Sequence, residues 1–266
     1  TSLKLVAALL AALYFLAGIN YAVLFFRGAS VSRRTATPFL LSVAVLHLAA
    51  VGVRSSLYER CPLGDFPEVL SLLALSLVAV YLVLEFRQRT PYTGVFLLAL
   101  VVPIMIASAA LQPGAGSDSP LLRTMWFGFH TTLALLGYAG FAVSAVYAFM
   151  FLLLHRALKR QTFGLIFDRL PPLDVLARMT EGAAVIGFLA LTIASAIGII
   201  WGSRLISGFW SDPKILLTFV IWGVYGAGIL ARYRLRWSSR PIAVLFLTGF
   251  LVVVISVVML NTILRT

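Results

Sequence analysis

Apolar residues run along this chain in long unbroken stretches rather than alternating with polar ones. Eight stand out, near 3–26, 37–53, 67–86, 93–111, 126–154, 182–201, 214–231 and 241–262. Each is about long enough to cross a hydrocarbon layer of roughly 30 Å as a helix rising ~1.5 Å per residue. They are rich in Leu, Ala and Val and lack period-two alternation, which favours helices over barrel strands. The pattern predicts an all-α integral membrane protein, a bundle of about eight transmembrane helices that forms a single domain over residues 1–266. The first stretch has no small-residue cleavage site after its apolar core, so it reads as a retained helix rather than a signal peptide.

Polar residues gather between the stretches, and their charge gives an orientation. The first, third, fifth and seventh connections carry fourteen Lys and Arg in all, including Arg27, Arg33 and Arg34 in the first and five between 155 and 181. The other side carries seven: Lys4, Arg54, Arg60, Arg123, Arg204, Lys214 and Arg265. The positive-inside bias assigns the first group to the cytoplasm and leaves both termini outside. Two connections are longer than a turn. Residues 155–181 form a basic cytoplasmic loop containing Leu170-Pro171-Pro172-Leu173, expected to hold a short interfacial helix broken by the prolines. Residues 112–125, with Pro113, Gly114, Gly116 and Pro120, form an external loop.

Composition closes off other classes. The chain is 61% hydrophobic and 11% charged, against roughly 25% charged in soluble domains, and a soluble protein of this size cannot bury that much apolar surface. The net charge of +12 sits in short clusters between apolar stretches, which is membrane topology and not a phosphate-binding face, so no nucleic acid is expected. Membrane lipid is the expected surrounding. The single cysteine, Cys61, cannot form an internal disulfide, and nothing near it marks it as activated.

No phosphate-binding glycine loop, metal-ligand Cys/His spacing or zincin pair is present, so no enzyme is expected. The few acids fall mostly in loops, and no relay of intramembrane carboxylates is visible. Three histidines remain. His47 in the second helix and His130 in the fifth lie roughly 9 and 6 Å below the external rim, counted at ~1.5 Å per residue. Two imidazoles at matching depth can hold one cofactor between helices, and haem is the natural candidate. Ala44 and Val51 beside His47, and Ala134 and Gly137 beside His130, leave room for a flat ring. Arg54, two turns above His47, can meet a propionate. On this reading the two ring nitrogens face each other across a gap between the second and fifth helices, about 4–8 Å apart without haem, given metal–imidazole bonds of ~2 Å. Taken singly, each histidine reads as an interfacial polar residue bonded to a carbonyl or water. His155, which opens the basic run, reads as a rim residue.

The external loop 201–214 holds Trp201, Arg204, Phe209, Trp210, Asp212 and Lys214. One at a time these are an interfacial aromatic belt and a helix start, with Asp212 as cap before Pro213. Together, a face of aromatics and cations can hold a flat dianionic ligand by stacking and ion pairing.

In this order, these residues resemble the membrane cytochrome c assembly family, which includes CcsA, CcmC and the HemX-like proteins. His130 through Tyr147 looks like the family's His-x-x-x-x-x-x-Gly-Tyr-Ala helix. Leu170-Pro171-Pro172-Leu173-Asp174-Val175-Leu176 matches its Leu-Pro-x-Leu-x-x-Leu connection. Residues 186–234, through Trp201, Phe209-Trp210-Ser211-Asp212-Pro213-Lys214, Trp222, Tyr225 and Arg232, look like the tryptophan-rich WWD signature. Pro62 through Glu68 is similar to a weaker upstream pattern. The resemblance implies non-covalent, b-type haem near Trp201, Trp210 and Asp212, with His130 as an outer ligand and His47 where HemX-like relatives often have a histidine.

Two departures favour the HemX-like branch over a cytochrome c synthetase subunit. Trp210-Ser211-Asp212-Pro213-Lys214-Ile215 lacks the usual second tryptophan and glutamate, and no histidine follows the signature. The expected function is a haem-binding protein of the bacterial inner membrane that handles or presents haem for cytochrome c biogenesis, alongside other cytochrome c assembly or haem-synthesis proteins. The alternative is a membrane regulator or assembly partner of a haem-synthesis enzyme, acting through its basic cytoplasmic loops. An ion-coupled transporter is disfavoured, because no inverted repeat or buried acid pair is seen.

Overall fold

A computed structural model describes residues 2–111, 120–161, 163–204 and 209–263, with side chains from 4 to 255 within those ranges. Among the described residues the chain is helical and without strands. The elements are α1 Ser2–Arg27, α2 Ser30–Tyr58, α3 Phe66–Gln88, α4 Gly94–Ala110, α5 Met125–Lys159, α6 Leu165–Arg169, α7 Leu173–Gly202, α8 Pro213–Tyr233 and α9 Ser239–Ile263. Seven of them (α1 to α5, α7 and α8) are long and apolar enough to cross a membrane, and this is a multi-pass all-α membrane bundle.

Helix ends follow local chemistry. Asp65 precedes α3, with Pro67 in its first turn, and Arg89 closes it in the left-handed region at φ 54°. Asp212 caps α8 as expected: its carboxylate accepts from the Lys214 backbone N–H at 2.8 Å, and Pro213 follows at the first helical position.

Three helices run past their expected ends, and in α2 and α7 polar residues within the added turns are paired. α2 starts at Ser30 rather than 37 and continues through Arg54, which meets a carboxylate of α3. α5 continues through His155 and Arg156 to Lys159. α7 begins at Leu173 rather than 182. There the Asp174–Arg178 pair (2.8 Å, one turn apart) and the Glu181–Arg232 pair (2.6 Å) neutralise the charges that mask its apolar pattern. The expected 155–181 loop is therefore mostly helix. Only the one-turn α6 lies between, and Pro172 starts α7 instead of breaking a longer helix. Of the expected external loop, 112–119 lies outside the described residues, and Pro120–Arg123 forms a single 3-10 turn.

The tightest helix pair is α5 on α7. A Cβ on Gly140 would fall 2.5 Å from Gly187 Cα and 3.0 Å from the Ala183 carbonyl, so only glycine admits this approach, as small residues do between membrane helices. α5 also packs on α3 and α9; α1 packs on α4 and α2, and α8 on α9 and α7. Most buried apolar residues form one core across α1 to α5 and α7. A second joins α5, α7, α8 and α9, where Tyr225 stacks on Phe141 at 3.6 Å and on Phe246 at 5.2 Å.

Candidate functional site

A cavity opens among the ends of α1 to α4 that the charge bias assigns to the outside. Its enclosed space is about 80 Å³, below the ~300–1,000 Å³ of ligand pockets, so a large ligand enters only if α1 to α4 move apart. Leu10 of α1, Ala50 and Val51 of α2, Leu72 of α3 and Ala109 of α4 give it apolar walls. His47 and Ser71 also line it, and Lys4, Arg54 and Glu68 contribute charge.

His47 is fully buried. Its Nδ1 lies 3.1 Å from the Tyr14 hydroxyl of α1, and its Nε2 lies 2.8 Å from the Ser71 hydroxyl of α3. Two turns along α2, Arg54 meets Glu68 at 2.8 Å. Glu68 is 2% exposed. It also takes Arg60 at 3.0 Å and accepts the Gly64 backbone N–H at 2.7 Å. One carboxylate is thus shared by two guanidiniums, and the group carries net positive charge. The Nε of Arg54 is buried without a hydrogen-bond partner, a donor left for an acceptor that the described residues do not supply. An imidazole in an apolar slot beneath a cationic mouth matches haem in the kind of groups it offers, while the space itself holds a group of that size only after the four helices part.

His130 lies elsewhere. Its Nδ1 is 2.8 Å from the Ala194 carbonyl of α7, and its ring fills the space over Gly198, where a Cβ would fall 2.8 Å from Cε1. The structure therefore corrects the expectation that the two imidazoles face each other. The partners of His47 come from α1 and α3 and that of His130 from α7, and the two share no hydrogen bond, ring contact or cavity lining among the described residues. Gly137 leaves no room for a ring either: a Cβ there would fall 3.0 Å from Leu191 Cβ and 3.1 Å from its backbone nitrogen. Of the predicted residues, the fold gathers His47, Arg54 and Val51 in one place.

Trp201 packs at 6.4 Å from Phe127, three residues before His130 on α5. Trp210 is 61% exposed and stands edge-on to Phe209, 5.2 Å away, and Phe209 is seated on Gly202. Arg204 is exposed, and residues 205–208 between it and Phe209 lie outside the described residues. Trp222 and Arg232 serve packing: Trp222 stacks on Phe188 and donates to Thr192 at 2.8 Å, while Arg232 binds Glu181. His155 stacks on Phe151 at 6.1 Å. Cys61 is half-buried, and burial pushes its thiol pKa up.

Sequence reasoning missed Tyr14, Ser71 and Glu68, which reach the cavity from other helices. It also missed that three carboxylates, Glu68, Glu85 and Glu181, are buried within helices. Glu85 accepts from Tyr21 at 2.9 Å and from Thr37. It borders a second space, near Arg33 and Arg89 at the opposite end of the bundle. A carboxylate 48 and 64 residues from its hydroxyl partners leaves no local signal, but Glu68 in the first turn of a helix is the kind of position where an acid is held.

Among known proteins, a family description reading Cytochrome C assembly protein matches residues 63–266. Protein HemX of Brevibacillus brevis is 33% identical over 108 residues, 40% of each chain. Cytochrome c biogenesis protein CcsA of Microcystis aeruginosa is 26% identical over 263 residues, 80% of each chain. That of Pyropia yezoensis is 25% identical over 272 residues, 86% of this chain and 84% of the relative. His130, Trp201, Trp210 and Asp212 fall inside the matched stretch, whereas His47 and Arg54 precede it.

Proposed function

This chain belongs to the cytochrome c assembly protein family, and on that footing we propose that it holds b-type, non-covalently bound haem and presents it for cytochrome c biogenesis without itself being an enzyme. The observation that carries the reading is the α1–α4 cavity, with the buried His47 imidazole on its wall and Arg54, whose Nε is unpartnered, at its mouth. Haem bound there would supply an iron able to accept a neutral imidazole. The chain's own residues do the rest. His47 offers a ring nitrogen, the apolar walls exclude water, and Arg54 with Arg60 and Lys4 sets a positive mouth for carboxylates.

His130 with Trp201, Trp210, Asp212 and Arg204 forms the second part of the proposal, an outer face from which haem is handed on. Their place within the matched stretch supports a role shared with relatives. Because His47 and His130 have separate surroundings, each serves a different position of the ligand and not two sides of one iron. The working partners are membrane lipid, haem and other assembly proteins, in a bacterial inner membrane with both termini outside and the chain acting as one membrane domain. The regulator reading has less to stand on, since most of 155–181 is helix belonging to α5 and α7.

The test is an absorbance spectrum of the detergent-purified protein before and after adding haem. A bound, shifted Soret band at about one haem per chain is expected. A spectrum equal to that of free haem in the same detergent would overturn the proposal.

A further inference from the structure

Glu85 is an acid inside a membrane helix with no part in haem binding. It is 2% exposed, and each of its oxygens is met by a hydroxyl: Oε2 accepts from Tyr21 of α1 at 2.9 Å, and Oε1 accepts from Thr37 of α2. Among the described residues no cation pairs with it. A carboxylate offers about four acceptor positions, so two donors leave about half of them open. An ionised group held in such a place normally has an opposite charge beside it. Here the described residues supply none.

Glu85 borders an open space of about 480 Å³ at the end of the bundle that the charge bias assigns to the cytoplasm. The Thr37–Glu85 contact ties α2 to α3 there, and an arginine stands one turn outward on each helix: Arg33 before Thr37, Arg89 after Glu85. The Arg89 backbone N–H still bonds the Glu85 carbonyl at 2.6 Å, closing the last turn of α3. One turn rises ~5.4 Å, so both arginine side chains start from about one level, a single step above the carboxylate. Both are exposed, both line the space, and neither has an acid partner among the described residues. Phe86 lines it as well and is 53% exposed, and Val83, three residues deeper on the same face of α3, is 48% exposed. The cleft thus has positive charge at its rim, negative charge on its floor and apolar surface at one side.

We propose that this cleft binds the head group of an aminophospholipid, with Glu85 taking the primary ammonium, Arg33 and Arg89 taking the phosphate, and the acyl chains lying along Phe86 and Val83. A primary ammonium brings three N–H donors to the open positions of the carboxylate, and the arginine fork matches phosphate oxygens. A two-carbon link joins the two charges of this head group, and the cleft offers their complements one helical turn apart. A lipid with only negative charge would suit the arginines but set a second anion beside Glu85. A trimethylated ammonium has no N–H to give. Basic pockets between membrane helices on the cytoplasmic side commonly take anionic head groups; the acid on this floor is what selects an amine. The cleft lies at the opposite end of the bundle from His47, so it does not depend on where haem is held.

The experiment is native mass spectrometry of the whole chain in detergent, with phosphatidylethanolamine, phosphatidylglycerol and phosphatidylcholine of identical acyl chains added in equal amounts. Wild type should retain one phosphatidylethanolamine per chain, favoured about 10-fold or more over either other lipid, as expected for a hydrogen bond to a charged group. Glu85→Gln keeps the side-chain volume and should bring phosphatidylethanolamine down to the level of phosphatidylglycerol. Arg33→Gln combined with Arg89→Gln, both at exposed positions, should weaken all three lipids. Glycerophosphoethanolamine, the same head group without acyl chains, distinguishes a lipid from a free phosphate ester and should not displace the bound lipid at equal concentration. The proposal is overturned if wild type retains no lipid, holds all three equally, or prefers phosphatidylglycerol or phosphatidylcholine. It is also overturned if Glu85→Gln keeps the preference or the arginine variant binds like wild type. Displacement by the soluble ester would overturn the assignment to a lipid. If Glu85→Gln does not purify, the wild-type ranking and the arginine variant decide the matter.

Discussion

Gly140→Ala adds one methyl group where α5 meets α7, and the structure sets its cost. The new Cβ would lie 2.5 Å from Gly187 Cα, 2.6 Å from its nitrogen and 3.0 Å from the Ala183 oxygen, all backbone atoms. Ordinary carbon contacts are ~3.5–4.0 Å, so the helices must part by about 1 Å. Leu191 and Ala184, buried in the same seam, then lose contact as well. Overpacking costs ~1–3 kcal/mol, and rigid neighbours place this site at the upper end. The helix gains ~1 kcal/mol from replacing glycine. A net loss of about 2 kcal/mol follows. Gly223→Ala on α8 is the matched control: nothing lies within 4 Å of its added methyl, so it should be neutral or stabilise by up to ~1 kcal/mol. Thermal unfolding in detergent, followed by circular dichroism, gives the order Gly223→Ala at or above wild type, then Gly140→Ala clearly below. Gly140→Ala melting at or above wild type would refute the close-packed seam.

Glu68→Gln keeps the side-chain volume but removes the charge shared by Arg54 and Arg60; we expect a loss of about 2 kcal/mol, with part of the full buried-pair cost relieved because Arg54 reaches the cavity mouth. A lower melting temperature checks it, and the same change should strengthen the salt dependence of hemin binding by freeing Arg54. Cys61 tests sidedness and burial together. A membrane-impermeant maleimide should label it from the outside of intact cells, more slowly at pH 7 than an unperturbed thiol, and faster as pH rises toward its raised pKa. Labelling only after permeabilisation would reverse the orientation. His155→Ala should leave the hemin spectrum unchanged, because its ring contacts Phe151 on α5 and not the cavity.

The sequence reveals helices where an apolar run ends on a residue that stops or starts one. α3 begins after Asp65 and α8 after Asp212, and α4 ends within a residue of its expected limit at Ala110. It underestimates helices whose polar residues find partners in space. Arg54 extends α2 by meeting Glu68, and Glu181 lies inside α7 because Arg232 of α8 neutralises it. The site divides the same way. His47 and Arg54 are legible because one helix carries both, two turns apart. Tyr14, Ser71 and Glu68 are not, since α1 and α3 bring them from distant positions. Depth along a helix places His47 and His130 at similar levels, but depth is one coordinate of three. Which way each residue faces around its helix is set by packing, and His130 faces α7.

The central claim is that the α1–α4 cavity holds haem through His47, and hemin titration of His47→Ala beside wild type and His130→Ala tests it most directly. Loss of the six- or five-coordinate Soret signature with at least ~100-fold weaker binding in His47→Ala, and a smaller change in His130→Ala, is the predicted result. An unaltered spectrum and affinity in His47→Ala would contradict it and leave His130 with the Trp201–Trp210 segment as the place where haem is held.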